Sequence, residues 1–228
     1  MPTPDVYPTA RGPLPSVAEP FAKRARARRH AHFMGLVAPG PGMRILDIGC
    51  GGLGLRGLAP ELDITGVDLV ERPGYPGPFV VADAAAGLPF ADGEFDLAYC
   101  NSVIEHVERG RRQAFAAELR RVARGWYVQT PARSFPIEPH SLLPGAQWLP
   151  ARLRRPYWRL GAQGDWEDVS LLGRGELEAL FGPAEREHFG PFTKSWVCVA
   201  LPAGSAAQAA DVVADAVDHQ ERQQDHPD

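Results

Sequence analysis

The sequence predicts an α/β protein whose core is a mostly parallel, seven-stranded sheet flanked by helices, with an insertion between strands five and six. Three observations predict it. Short apolar runs recur with helix-patterned or turn-forming segments between them, the first run leads into a cluster of glycines, and the first three runs each have an acid at or just past their end. Runs that are apolar throughout read as strands buried on both faces, and strand–helix–strand order calls for right-handed crossovers within one layered domain.

The elements follow in order. Residues 1–15 hold five prolines and are read as an extended arm. Pro20 suits a first helical position, and a helix is expected from there to Val37, with Phe21, Ala25, Arg28, His32 and Leu36 on one face. Pro39, Gly40, Pro41 and Gly42 stop it. Five strands are then expected at Met43–Ile48, Leu62–Val67, Phe79–Ala82, Phe95–Cys100 and Trp126–Thr130. Between the last two, Arg109–Ala123 places Phe115, Leu119 and Val122 at helical spacing. Residues 131–172, rich in Pro, Trp, Leu and Arg, are too apolar for a linker and read as a cap that binds substrate. A short helix at Glu176–Phe181 and a closing antiparallel pair, Ala184–Phe189 and Ser195–Leu201, complete the fold. The expected divisions are 1–40 (arm and helix), 41–202 (main domain) and 203–228 (a polar, disordered tail).

Composition narrows the partners. A net charge of −4 gives no general attraction to nucleic acid or to an anionic membrane, and neither partner is expected. No run nears the roughly twenty apolar residues of a membrane span, and the N-terminus lacks the apolar core of a signal peptide. Cys50, Cys100 and Cys198 lie far apart within or beside apolar runs, which suits free thiols in a reducing compartment; the cytoplasm is expected. His30 and His32 are two apart and would not share a helix face, so no metal site is expected. The arginine clusters at 109–112 and 152–155 read as solvated faces.

The strongest local signal is Ile45-Leu46-Asp47-Ile48-Gly49-Cys50-Gly51-Gly52-Leu53-Gly54. Glycines directly after a first strand let backbone approach a ligand at the edge of the sheet where α/β proteins bind nucleotides. Gly49-x-Gly51-x-x-Gly54 also fits a dinucleotide fingerprint, or simply a tight strand-to-helix turn. Asp47 argues against a pyrophosphate, which its carboxylate would repel, and in favour of a ligand with positive charge. Asp68 ends the second strand, where a carboxylate can accept both ribose hydroxyls, and Asp83 follows the third, where one can accept an adenine amino group.

Taken in order, Leu46–Gly51, Val67–Leu69, Ala82–Ala84, Leu88–Asp96 and Ser102–Val107 resemble the class I S-adenosylmethionine-dependent methyltransferases. The likeness is nearest to the small-molecule branch that includes quinone-biosynthesis enzymes, strong over 43–130 and looser over 173–201. It implies a Rossmann-like sheet, S-adenosyl-L-methionine as cofactor and methyl transfer to a small molecule. It implies that Asp47, Gly49, Cys50 and Gly51 line the methionine end, that Asp68 and Leu69 hold ribose and adenine, that Asp83 and Ala84 meet the adenine edge, and that Asn101 and Ser102 lie beside the sulfonium. Two departures stand out. Leu53 occupies the usual place of the third glycine, and Pro73–Pro78 replaces the usual helix between strands two and three.

Four further polar residues follow, of which His106, Glu138 and His140 are candidates for the chemistry. Ser102-x-x-Glu105 fits a helix capping box, the role favoured for Glu105. His106 falls where related enzymes keep a histidine near the cofactor, and a packing role is preferred to a catalytic one. Glu138 and His140 leave the fifth strand on a proline-stiffened path, and serve either to pin the cap or to take a proton from the methyl acceptor. The run Gln129–His140 continuing through Trp148 to Pro150 resembles a signature of some bacterial methyltransferases of this branch. A non-catalytic S-adenosylmethionine binder and a nicotinamide-dependent oxidoreductase are the alternatives.

Overall fold

The computed structural model describes residues 27–161 and 169–202. After a helix over 27–37 (α1) come strands β1 (Arg44–Ile48), β2 (Asp63–Asp68), β3 (Phe79–Val81) and β4 (Phe95–Asn101). Helix α2 (Arg112–Val122) leads into β5 (Ala123–Pro131), and the segment after β5 contains α3 (Ala151–Trp158). Helix α4 (Arg174–Phe181) precedes β6 (Ala184–Phe189) and β7 (Phe192–Ala200). The seven strands form one sheet in the order β3-β2-β1-β4-β5-β7-β6. β1 to β5 pair in parallel and β7 runs antiparallel between β5 and β6. The order reverses between β1 and β4, the switch point at which open α/β sheets bind ligands.

Alternation along the strands divides the core in two. Leu46, Ile48, Ala98, Cys100 and Val128 face one side, where Phe115, Leu119 and Val122 of α2 and Leu177, Leu180 and Phe181 of α4 cover them. Ile45, Leu97, Tyr99 and Tyr127 face the other, against Phe33 and Val37 of α1 and Leu55, Ala59 and Leu62. The buried side of α1 is thus carried by Phe33 and Val37, one residue round from the face expected from sequence, and Arg28 is exposed. Phe33 dictates that register. Its ring sits edge-on to Tyr99 at 4.9 Å and to Tyr127 at 5.2 Å, and those two tyrosines stack on each other.

Two connections differ from the expected strand–helix alternation. After β1 the chain winds through turns over 51–58, held by bonds such as Gly57 N–H to the Leu53 carbonyl at 2.8 Å, without becoming a helix. Between β2 and β3 the chain makes turns only, as the proline–glycine run predicts, and Tyr75 lies so close to Gly66 that a side chain there would strike its ring. The expected arm, the start of the first helix and the tail from Ala203 lie outside the described residues. No helix among the described residues is long and apolar enough to cross a membrane.

Arg112 departs from the solvated role expected of its cluster. It is 2% exposed, donating to the carbonyls of Val107 and Ser170 and pairing with Glu176. A buried guanidinium persists only when its donors are matched in this way.

Truncating Phe33 to alanine is expected to cost about 3–5 kcal/mol, as for other fully buried aromatics. Urea unfolding of Phe33→Ala checks this, and a loss below about 1 kcal/mol would mean that α1 does not complete the second core.

Candidate active site

The loop after β1 is shaped by an acid beneath it. Gly49, Gly51 and Gly54 have φ of +68°, +59° and +54°, values that suit glycine. A side chain at Gly49 would meet Val103, and one at Gly54 would strike the Asp47 carboxylate. Asp47 is 3% exposed and accepts the Leu55 N–H at 2.6 Å. It therefore supports the glycine loop from below, and Gly54, displaced by one place from the family's usual spacing, is the residue that makes room for it. Cys50 turns into the protein, and burial raises its thiol far above the usual range.

The other cofactor candidates gather along the carboxyl edge of the sheet. Asp68 accepts the Gly51 N–H at 3.0 Å, tying the ends of β1 and β2 together, and also holds Arg72 Nε at 3.0 Å. Leu69, beside it, is 66% exposed. Asp83 pairs with Arg111 at 2.7 Å and accepts the Ala85 N–H; burial works to raise its carboxyl, but Arg111 and Ala85 hold it below the usual carboxylate range. Ala84 is buried. At the end of β4 the buried Asn101 Oδ1 has no hydrogen-bond partner among the described residues. Ser102 follows at a φ of +57°, a conformation that costs a non-glycine residue about 1–3 kcal/mol.

These residues fit S-adenosylmethionine. A rim carboxylate suits a ribose diol, an exposed leucine suits an adenine face, and an orphaned acceptor at the switch point suits a ligand with a donor or positive pole. The ion pairs from Arg72 and Arg111 were not foreseen; Arg72 sits four residues after Asp68, the one trace of its pairing in the sequence.

A second group assembles just beyond β4 and β5. The expected capping box does not form. Ser102 donates instead towards Gln129 Oε1 at 3.4 Å, the following turn at Ile104–His106 has no side-chain cap, and Glu105 points inward. Glu105 is 0% exposed, and burial raises its carboxyl above the usual range although Thr130 Oγ1 donates to its Oε2 at 2.9 Å. Only a single 3₁₀ turn forms here, closed by the His106 N–H on the Val103 carbonyl, and no α-helix follows whose first turn the box would cap.

Glu138 and His140 are held firmly. The Glu138 N–H donates to the Leu143 carbonyl and the Leu142 N–H to the Glu138 carbonyl, closing the loop around them. The Glu138 carboxylate accepts from the backbone of His140 and Ser141 and from Ser141 Oγ, and its Oε1 lies 2.7 Å from His140 Nδ1. Burial works to raise this carboxyl, but the His140 ring and the Ser141 donors together hold it below its ordinary value of 4.5. The rings of His106 and His140 meet edge-to-face at 4.9 Å. Although His106 opens partly to solvent, the protein around it and the neighbouring His140 push its imidazole down to about 4.

His106 also lines a cavity of about 690 Å³, together with Arg109 and the segment after β5, which contributes Arg133, Gln147, Arg154 and Val169. His140 is not among the lining residues. The segment is fastened to the turn after β4 by the Ser170 N–H on the Glu105 carbonyl at 2.9 Å and by Arg109 Nε on Ser170 Oγ at 3.0 Å.

Burial is the main cause that lifts the Asp47 carboxyl from an ordinary 3.8 to about 7; the Leu55 N–H opposes it and the charge of Asp68 adds to it. Between about pH 4 and pH 7 the folded protein keeps a proton that the unfolded chain has released, so this group makes stability fall as pH rises through that window. Asp47→Asn, which can still accept the Leu55 N–H, is expected to gain stability relative to wild type at pH 8 compared with pH 5. Thermal melts of both proteins across that range check it, and a constant difference between them would contradict it.

Residues 46–125 match the family model of a methyltransferase domain. No curated protein matches the sequence. Among solved structures, a protein of Pyrococcus horikoshii OT3 is 19% identical, with 78% of this chain and 91% of that one covered and a TM-score of 0.55. The methyltransferase domain of bacterial CtHen1-CN is 17% identical over 76% of this chain and 97% of its own, at a TM-score of 0.50. The pyocyanin biosynthetic protein PhzM is 15% identical over 85% and 60%, also at 0.50. At these identities the likeness is one of fold, and the match to a methyltransferase-domain model is confined to residues 46–125, the stretch that carries the glycine loop and the strand ends described above.

Proposed function

We propose that the protein methylates a small molecule bearing an anionic group, bound in the cavity beside His106. The observation that carries this reading is the cavity itself. Its volume suits a small ligand, and Arg109, Arg133 and Arg154 stand in its wall. Arginine is suited to grip a carboxylate or phosphate through paired donors. Most of the lining comes from the 131–172 segment, in keeping with a cap that selects the acceptor.

Asp68 and Leu69 would hold the adenosine, Asp83 and Ala84 the adenine edge, and Gly49, Gly51, Asn101 and Ser102 the methionine end. S-adenosylmethionine supplies a methyl group made electrophilic by its sulfonium. The chain's own work is to align the acceptor for in-line attack and to manage the proton on its nucleophile. His106, on the cavity wall, would touch the acceptor, while Glu138 fixes the His140 ring behind it.

Incubating the enzyme with labelled S-adenosylmethionine and matched anionic and neutral metabolites tests the proposal. Methylation confined to the anionic set is expected, with Arg133→Ala raising KM by about tenfold or more, the loss of one charge-assisted contact. Equal methylation of neutral molecules would overturn the anion requirement. Asp68→Asn is expected to weaken S-adenosylhomocysteine binding by about tenfold or more in calorimetry. His140→Ala should keep that affinity and lose about a hundredfold in turnover. Full turnover in a folded His140→Ala protein would remove His140 from the reaction.

A further inference from the structure

We propose that Glu105, His106 and His140 form a binding site for a divalent transition-metal ion on the wall of the acceptor cavity. One ligand atom from each residue lies within 4.8 Å of the other two. They come from two places in the chain, the turn after β4 and the loop after β5, which the parallel pairing of those strands brings side by side.

The carboxylate supplies the main argument. Glu105 is completely buried, and Thr130 occupies its Oε2. Its Oε1 is buried without a hydrogen-bond partner among the described residues. A buried carboxylate oxygen left bare is costly, and a cation removes that cost. The neighbour it faces is His140 Nε2 at 4.0 Å, too far for a hydrogen bond. Two ligands sharing a metal at ordinary bond lengths stand roughly 3.3 Å apart, so the three groups, now up to 4.8 Å apart, need to close by as much as about 1.5 Å.

His140 is also prepared for the part. Its Nδ1 faces Glu138 Oε1 at 2.7 Å, which places a proton on Nδ1, so that in the neutral imidazole the nitrogen available to a metal is Nε2, on the side of Glu105. A carboxylate behind a histidine in this manner is the usual support for a metal-bound imidazole. Here Glu138 is itself fixed by Ser141 and the His140 backbone. Two imidazoles and one carboxylate suit zinc, iron(II) and their neighbours, and leave coordination positions open. Because His106 lines the cavity, those positions face it and would take water or an acceptor oxygen; this last point rests on the proposed reaction, whereas metal binding does not.

The test uses the full chain, stripped with a chelator and titrated with Co²⁺. One equivalent is expected to bind, with visible absorption from nitrogen and oxygen ligands that Zn²⁺ abolishes by displacement. His106→Ala and His140→Ala should each eliminate the signal. Glu138→Gln should weaken binding by about 10- to 100-fold without removing it. S-adenosylhomocysteine binding reports that each variant is folded, and His106, partly open to solvent, is the substitution least able to disturb the core. Absence of Co²⁺ binding, or binding unchanged in folded His106→Ala and His140→Ala, would overturn the site. Full methylation by stripped enzyme that takes up no metal would overturn it while leaving the proposed reaction standing. Metal bound as described, with no acceptor methylated, would support the site and count against the reaction.

Discussion

The geometry of the cavity beside His106 depends on the buried guanidinium of Arg112. From the first turn of α2 it reaches the Val107 carbonyl, the Ser170 carbonyl and the Glu176 carboxylate. Those partners belong to the turn that carries Glu105 and His106, to the end of the segment after β5, and to α4. A charge in that position has no water to fall back on, so the three segments are drawn to where its donors point. The Ser170 N–H then bonds the Glu105 carbonyl, fastening the two segments that contribute most of the cavity wall.

A buried acid anchors the glycine loop in a comparable way. Asp47 under the glycine loop fixes Leu55, whose side chain fills the core facing α1, while Asp68 holds Gly51 from the neighbouring strand. The two carboxylates work through backbone donors, which explains how a loop with an unusual glycine spacing keeps its place at the switch point.

Much of the fold was legible because buried parallel strands are continuous apolar runs, and all seven appear within a few residues of where the pattern puts them. The helical face of α1 was misjudged by one residue, since the aromatic contacts of Phe33 with Tyr99 and Tyr127 join segments more than sixty residues apart. The residues of the loop and strand ends were readable from local spacing. The inward turn of Glu105 was not: Ser102-x-x-Glu105 is written like a cap, and only the partner Thr130, on another strand, shows that the carboxylate is directed to the interior. The arginines suffered the same fate. A cluster at 109–112 looks like a solvated face in one dimension, yet Arg111 and Arg112 meet acids that lie far off in sequence.

The acids at the ends of β2 and β3 already have cationic company, Arg72 on Asp68 and Arg111 on Asp83. If the nucleoside of the proposed cofactor binds at this edge, it enters a negotiation with two guanidinium groups rather than meeting bare carboxylates. Arg72 already gives Asp68 two donors, so a sugar with a pair of neighbouring hydroxyls would match it, and one lacking a hydroxyl would compete with a single donor against two. In that reading Arg72 is a threshold for sugar identity, discriminating through what must be displaced as well as through what is gained.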